Sequence, residues 1–177
     1  MKILVLLADG FEEIEAITVI DVLRRAGIEV DSVGLTGGWV TGSHNIKVMA
    51  DKKISEVDIE KYDGIVLPGG SKGVENLLKS SKVKEFLEKA NEKNKLIAAI
   101  CAAPLVLAKY HILDKRRATI YPGMEKEIPY PRDEKVVVDE NVITSQAPGT
   151  ALLFALAIVE KLLGKEKVLE IKKQLVV

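Results

Sequence analysis

The 177-residue chain carries 26 basic and 26 acidic residues, so its net charge is zero, and 47% of its residues are hydrophobic. Without a basic surplus, nucleic acid is not an expected partner, and no run of about 20 apolar residues exists to cross a membrane. The N-terminal apolar run is too short for a signal peptide. A single cysteine excludes an internal disulfide and a CxxC metal site and is typical of the reducing cytoplasm. We therefore expect a cytoplasmic protein without a metal site.

Alternating strand and helix patterns predict one α/β domain over residues 1–177. Strands are predicted at 3–8, where a continuous apolar run is typical of a strand buried in a parallel sheet, and at 28–35, 63–68 and 96–100. Helices are predicted at 11–26, 74–78, 83–94, 102–109, 150–163 and 165–175, and a hairpin at 136–139 and 142–145. Segments 39–40 and 46–49 predict a small antiparallel excursion, and 118–121 a further short strand. Together these elements predict a three-layer sandwich, with helices on both faces of a mostly parallel sheet.

The first helix has an apolar face that includes Ile14, Ile17 and Leu23, and we expect these side chains to pack inside. Gly27 is expected to end this helix. Glu15 lies beside Ile14, which is predicted to face inward. Its carboxyl is therefore expected to point into a cleft instead of into water.

The only cysteine, Cys101, follows the predicted strand at 96–100 and precedes a helix. At such a corner the free backbone N–H groups and the positive end of the helix dipole favour thiolate over thiol. The arrangement has the logic of a nucleophile elbow, although its sequence is not GxSxG. Alternatively, a lone cysteine among alanines is a small, inert hydrophobic residue.

The neighbouring segments favour the functional interpretation of the cysteine. Ligands of open parallel sheets bind beyond the carboxyl ends of the strands, where the strand order reverses. Residues 12–15, the Gly69-Gly70 pair and Cys101 are expected to meet there. A Glu15 carboxyl beside a thiolate would have a raised pKa, stay protonated and donate a hydrogen bond to sulfur. The N–H groups of Gly69 and Gly70 are expected to be open near the thiol, as an oxyanion site requires.

Other polar and turn residues have two interpretations each. Glu12 and Glu13 are expected simply to complement the N-terminus of the first helix. His44, in a glycine-flanked loop, is expected to be a surface residue. Tyr121 either packs or lines the cleft. Pro148 either belongs to the cap of the last long helix or opens toward the same face as the cysteine.

Four separated motifs resemble the DJ-1/ThiJ/PfpI superfamily, and specifically its DJ-1-like branch: ADGFEEIEAITVIDVLRRAGIEV, DGIVLPGG, IAAICAAP and TSQAPGTALLFALAIVE. The resemblance covers nearly the whole chain. It implies a flavodoxin-like fold, a homodimer, a reactive cysteine at Cys101 and a protonated glutamate at Glu15 that hydrogen-bonds the cysteine. It also implies that the backbone at Gly70 and Ala102 lines the pocket.

The chain departs from this family at three positions. The PfpI-like peptidases have a histidine directly after the cysteine, where this chain has Ala102. The best-known DJ-1-like proteins have a pocket histidine before a proline, where this chain has Tyr121, and a phenol is a poor general base near neutral pH. The family's Ser-Arg-Gly-Pro motif has Gln146 in place of arginine here, which removes a positive charge near the pocket mouth.

The resemblance implies three functions, in decreasing order of preference. The first is a glyoxalase or deglycase that acts on a small aldehyde or 2-oxoaldehyde such as methylglyoxal, in which Cys101 adds to the aldehyde and Glu15 shuttles a proton without any cofactor. The second is an oxidative-stress sensor or chaperone in which Cys101 is oxidised to sulfinate. The third, an intracellular cysteine peptidase, lacks the adjacent histidine. The sequence does not separate the first two, because both require an accessible thiolate.

Overall fold

A computed structural model describes all residues from 1 to 177. The strands are β1 Lys2–Leu7, β2 Glu29–Gly34, β3 Trp39–Thr41, β4 Lys47–Met49, β5 Lys52–Lys53, β6 Gly64–Leu67, β7 Leu96–Ile100, β8 Val136–Asp139 and β9 Val142–Ser145. The helices are α1 Glu13–Arg25, α2 Ser71–Lys79, α3 Ser81–Glu92, α4 Pro104–Lys109, α5 Ala151–Leu163 and α6 Lys165–Leu175. None of these helices combines the length and apolar content needed to span a membrane.

Seven strands form one sheet in the order β5-β2-β1-β6-β7-β9-β8. All neighbours pair in parallel except β8, which is antiparallel to β9. The chain builds from β1 to β2 and β5 on one side and then crosses to β6 on the other. The strand order therefore reverses between β1 and β6, where the connecting loops separate and open a crevice. β3 and β4 form a separate antiparallel pair, which confirms the predicted excursion.

The core lies on both faces of the sheet, because successive side chains of each strand point to opposite faces. Within β1, Leu4 and Leu6 join a cluster of 28 buried residues that includes α2, α3 and α4. Ile3, Val5 and Leu7 join a second cluster of 27 buried residues with α1 and α5. The two clusters are nearly equal in size, so the sheet is covered equally on both sides. The predicted three-layer sandwich is confirmed.

The buried face of α1 differs from the prediction. Ile14 and Ile17 are 56% and 42% exposed, whereas Glu15 between them is fully buried. Val19 and Leu23 are buried as expected. Adjacent helical residues point about 100° apart, so Ile14 cannot share the direction of Glu15. The helix orientation that buries this carboxyl turns both isoleucines outward.

Two further predictions need correction near residue 101. The strand expected at 118–121 is reduced to a single β-bridge between Ala118 and Pro131. The helix expected from residue 102 begins only at Pro104, after a turn. The first departure follows from a contact with Cys101. The N–H of Tyr121 donates to the Cys101 carbonyl oxygen at 2.8 Å instead of to a strand.

The hairpin of β3 and β4 is fixed to the start of α1 by a buried carboxylate. Oε1 of Glu13 accepts the N–H of His44 at 2.7 Å, and the Ser43 N–H donates to the Phe11 carbonyl oxygen at 2.8 Å. Gly42 leaves room for this contact, since a Cβ there would lie 2.2 Å from Glu13 Oε1. The turn of the hairpin is therefore held over the segment that follows β1.

The loop after β1 depends on a glycine at residue 10. Gly10 and Gly27 have φ values of +89° and +82°, but only at Gly10 would a Cβ collide with neighbours, at 2.5 Å from Lys72 Cβ and 2.9 Å from the Gly73 nitrogen. We expect Gly27→Ala to lower the free energy of unfolding by about 1–2 kcal/mol through its left-handed backbone. Gly10→Ala should cost about 1–3 kcal/mol more because of overpacking. Urea unfolding of both variants tests this, and equal losses would contradict it.

Candidate active site

The three predicted segments meet at the carboxyl edge of the sheet. Backbone hydrogen bonds join the first two segments to each other and Cys101 to the end of β9. The Glu12 N–H donates to the Gly69 carbonyl oxygen at 2.9 Å, and the Cys101 N–H donates to the Ser145 carbonyl oxygen at 2.9 Å. Because four neighbouring strands end here, segments that are far apart in the sequence become one site.

Cys101 occupies the sharp corner that its position between strand and helix predicts. Its φ is +65°, a left-handed conformation that a residue with a Cβ adopts rarely, at a cost of about 1–3 kcal/mol. The side chain is 9% exposed. Hydrogen bonds of its backbone to Ser145 and Tyr121 hold this conformation on both sides. The corner turns the thiol away from the strand and toward the crevice.

Glu15 is the buried partner of the thiol. Its Oε2 accepts the Gly69 N–H at 2.7 Å, whereas Oε1 has no conventional hydrogen-bond partner and the carboxyl interacts with the Cys101 thiol. A Cβ placed on Gly69 would lie 2.6 Å from Cys101 Cβ and 2.7 Å from Glu15 Oε2. The missing side chain at Gly69 therefore leaves the space in which Glu15 and Cys101 approach each other. A larger residue here would push the pair apart.

The two acids share their protons. Burial raises the pKa of Glu15 to about 7, although the Gly69 N–H and the thiol act in the opposite direction. Burial, and then the negative charge of Glu15, raise the pKa of Cys101 to about 12, against the opposing N–H groups of Ala102 and Gly70. Two negative charges cannot both be accommodated in this buried site, so the pair keeps one proton between these limits. The thiolate forms when that proton resides on Glu15.

This result changes two expectations for the site. The helix after Cys101 does not by itself favour the thiolate, because burial and the Glu15 carboxylate outweigh the local N–H groups. Gly69 does not offer an oxyanion donor, because its N–H is committed to Glu15. The N–H groups directed at the sulfur belong to Gly70 and Ala102.

A cavity of about 400 Å³ opens in front of the sulfur. Its lining includes five predicted positions and several others: Gly70, Cys101, Ala102, Tyr121 and Pro148, together with Glu12, Ser43 and His44. A volume of this size admits a small organic molecule. The thiol is therefore buried yet open to a ligand on one side.

The sequence predicts that Glu13 only complements a helix N-terminus and that His44 is a surface residue, but the two side chains pair. Instead of facing water at a helix end, Glu13 is buried and its Oε2 lies 3.0 Å from His44 Nδ1 and 3.1 Å from Ser43 Oγ. Burial alone would raise the pKa of Glu13, but these hydrogen bonds and those of backbone N–H groups lower it to about 2. The same contacts raise the pKa of His44. No local pattern reveals the pairing, because the hairpin brings the two residues together from 31 positions apart.

One group of side chains lies close enough to share a metal ion. Ligand atoms of Glu12, Glu13 and His44 fall within 4.8 Å of one another. Hydrogen bonds from Ser43 and from the His44 ring already account for this arrangement of the carboxylates. We therefore assign the cluster a hydrogen-bonding role.

The fold and the site together define an α/β sandwich protein with a cysteine at a strained strand-to-helix corner, paired with a buried glutamate. Residues 1–161 match the DJ-1/PfpI family, and the chain belongs to this family. It is 46% identical to the protein dj-1beta of Drosophila melanogaster over 179 residues, which cover 98% of this chain and 96% of that protein.

Other relatives differ in length or have known structures. DJ-1 homolog B of Arabidopsis thaliana is 44% identical over 176 residues, and this alignment covers 97% of the chain but 40% of that longer protein. The structure of oxidized DJ-1 from Toxoplasma gondii superimposes with a TM-score of 0.96 at 39% identity, covering 99% of this chain and 97% of that one. Drosophila DJ-1beta gives a TM-score of 0.95 at 45% identity, with coverage of 99% and 97%.

The buried carboxyl should make stability depend on pH. The pKa of Glu15 is about 7 in the folded chain, against an ordinary value of 4.5. The folded state therefore holds a proton that the unfolded state has lost, and the stability present below pH 4.5 declines as the pH rises to about 7. We expect Glu15→Gln, which does not titrate, to gain about 3 kcal/mol relative to wild type across this window.

Urea unfolding at pH 4.5 and pH 8 measures this difference. Glu75→Gln, at an exposed glutamate of α2, is the matched control and should follow the wild type at both pH values. A Glu15→Gln difference that stays constant with pH would show that folding does not raise the pKa of the carboxyl.

Proposed function

We propose that this chain is a cofactor-independent, cysteine-dependent hydrolase or lyase of small reactive carbonyls, with Cys101 as nucleophile and Glu15 as proton shuttle. The observation that carries the proposal is the contact of the buried Glu15 carboxyl with the Cys101 thiol beside a cavity of about 400 Å³. Membership of the DJ-1/PfpI family is compatible with this activity. The single cysteine of the chain is consistent with a cytoplasmic location.

The proposed reaction starts from the form with a Cys101 thiolate and a Glu15 carboxylic acid. The sulfur adds to the aldehyde carbon of a 2-oxoaldehyde, and the proton of Glu15 passes to the aldehyde oxygen, giving a hemithioacetal and a carboxylate. The N–H groups of Gly70 and Ala102, which are directed at the sulfur, are placed to stabilise negative charge on that oxygen.

An internal proton transfer follows. The Glu15 carboxylate removes the hydrogen of the former aldehyde carbon and delivers it to the adjacent ketone carbon, while the hydroxyl proton passes to the ketone oxygen. The product is a thioester of a 2-hydroxy acid on Cys101, an isomer of the hemithioacetal. Because Glu15 is buried, the proton it carries is shielded from exchange with water.

Hydrolysis completes the cycle. Water adds to the thioester carbonyl, the carbon–sulfur bond breaks, and Cys101 leaves as a thiolate. Two protons are released with the 2-hydroxy acid anion: one restores the acid form of Glu15, and the other passes to solvent. The sum is 2-oxoaldehyde plus water to 2-hydroxy acid anion plus a proton, so no electrons are exchanged with a cofactor.

A second candidate function is an oxidative-stress sensor or chaperone in which Cys101 is oxidised to sulfinate. A relative of the same fold was determined in a form named as oxidized, and this favours the candidate. A protonated Glu15 would donate a hydrogen bond to a sulfinate oxygen. A peptidase is the third candidate and has no support beyond the cysteine, since Ala102 follows it.

We further propose that the protein is a homodimer. We expect five exposed apolar side chains to form an apolar patch at the interface, namely Ile14, Ile17, Trp39, Ile46 and Met49. They lie on α1 and on the β3–β4 hairpin, two elements that are connected by hydrogen bonds to the Glu13 carboxylate. Exposed apolar groups on adjacent elements mark interaction surfaces. In a two-fold dimer the same patch of each copy faces the other, so one apolar surface covers another.

Methylglyoxal consumption tests the enzymatic proposal. Wild type should convert methylglyoxal to lactate, whereas Cys101→Ser should form none, because a serine hydroxyl is not ionised near neutral pH and is a poor nucleophile. Lactate is quantified enzymatically after each incubation. Absence of lactate with wild type, together with clean conversion of Cys101 to sulfinate by peroxide in mass spectrometry, would overturn the enzyme and favour the sensor.

Sedimentation or light scattering tests the dimer. Wild type should have twice the 19.4 kDa mass of one chain, and Ile17→Lys should be monomeric because a charge in the patch opposes its burial. Leu169→Lys, at an exposed apolar residue of α6 outside the patch, should remain a dimer. A monomeric wild type, or a dimeric Ile17→Lys, would refute this interface.

A further inference from the structure

We propose that His44 is the general base that activates water for hydrolysis of the acyl-thioester on Cys101, and that Glu13 is its positioning residue. The inference deepens the proposed function and rests on it for the identity of the acyl group. It starts from the fact that His44 and Cys101 line the same cavity. The remaining histidine of the chain, His111, is not among the residues that line this cavity.

Glu13 holds the histidine at two points. Its Oε1 accepts the backbone N–H of His44 at 2.7 Å, and its Oε2 lies 3.0 Å from the ring Nδ1. The carboxylate is buried and Gly42 is shaped around it, so this anchor is part of the fold. With Nδ1 donating its proton to Glu13, Nε2 is left as the nitrogen that accepts one. Glu13 thus orients the His44 imidazole in the way that the carboxylate of a catalytic triad orients its base.

The hydrolytic step needs a base that the rest of the site does not provide. Glu15 is fully buried, its Oε2 accepts the Gly69 N–H, and it is not among the residues that line the cavity. Tyr121 contributes a phenol, which is a poor base near neutral pH. The His44 side chain, in contrast, is 70% exposed and meets both solvent and cavity. This position gives the base access to a new water molecule from solvent in each turnover.

In the proposed step, Nε2 takes a proton from water as the water oxygen bonds to the thioester carbonyl carbon. The carbon–sulfur bond then breaks and the electron pair stays on Cys101 as thiolate. The imidazolium afterwards releases its proton to solvent. The charged groups that face His44 are the carboxylates of Glu12 and Glu13 from α1, and both favour the imidazolium that forms.

Acetylation of Cys101 by p-nitrophenyl acetate isolates this step. The thiolate takes the acetyl group and releases p-nitrophenolate, and loss of the acetyl group is then followed by intact-protein mass spectrometry. His44→Asn keeps an N–H donor for Glu13 but has no basic nitrogen that could take a proton from water. We expect it to slow deacetylation about 100-fold, within the usual range for general base catalysis, while the rate of acetylation is unchanged. Added imidazole should restore part of the rate.

His111→Asn is the matched control, since His111 is exposed and its Nδ1 also meets a carboxylate, Asp114, at 3.1 Å. It should deacetylate at the wild-type rate. In wild type the rate should fall as acid protonates His44, and Glu13→Gln should move this midpoint to lower pH, because the carboxylate raises the histidine pKa. A structural role for Glu13 would leave the midpoint in place.

The outcomes separate the two proposals. Equal deacetylation by wild type and His44→Asn would overturn the inference, even if wild type makes lactate from methylglyoxal. Slow deacetylation by His44→Asn in an enzyme that makes no lactate would refute the carbonyl substrate and leave the base assignment standing.

Discussion

The structure depends on burying a carboxyl group against a thiol with no cation to compensate. Glu15 is fully buried, and its only firm hydrogen bond comes from the Gly69 backbone. A charge in such a place is costly, so the pair retains a proton instead. The orientation of α1, the absence of a side chain at residue 69 and the left-handed corner at Cys101 all serve this contact. The outward turn of Ile14 and Ile17 follows from the same orientation.

Two glutamates of one helix, two residues apart, have pKa values shifted in opposite directions. The pKa of Glu15 is raised to about 7 and that of Glu13 is lowered to about 2, although both are buried. The difference lies in the number of donors, because Glu13 receives N–H and O–H groups from the hairpin and Glu15 receives one from Gly69. Separated pKa values of neighbouring acids are the usual basis of divided catalytic roles. In the proposed function one carboxyl carries a proton and the other orients a base.

Membership of the DJ-1/PfpI family accounts for the sandwich and for the cysteine at its corner, but not for the basic group at the mouth of the pocket. In this chain Tyr121 forms part of the wall, and the imidazole enters from the hairpin of β3 and β4. The hairpin also supplies Trp39, Ile46 and Met49 to the apolar patch. The proposed interface and the proposed base therefore share one element, so assembly and hydrolysis would depend on the same anchor at Glu13.

The sequence by itself determined the order of strands and helices, the sandwich, and the position of Cys101 after β7, because apolar periodicity and turn residues are local signals. It also predicted that the segments around Glu15, Gly70 and Cys101 meet, since parallel strands end at one edge. Only the tertiary structure decided the direction of α1, the commitment of the Gly69 N–H, and the pairing of Glu13 with His44. Those features depend on contacts between residues 31 to 54 positions apart, which no local pattern encodes.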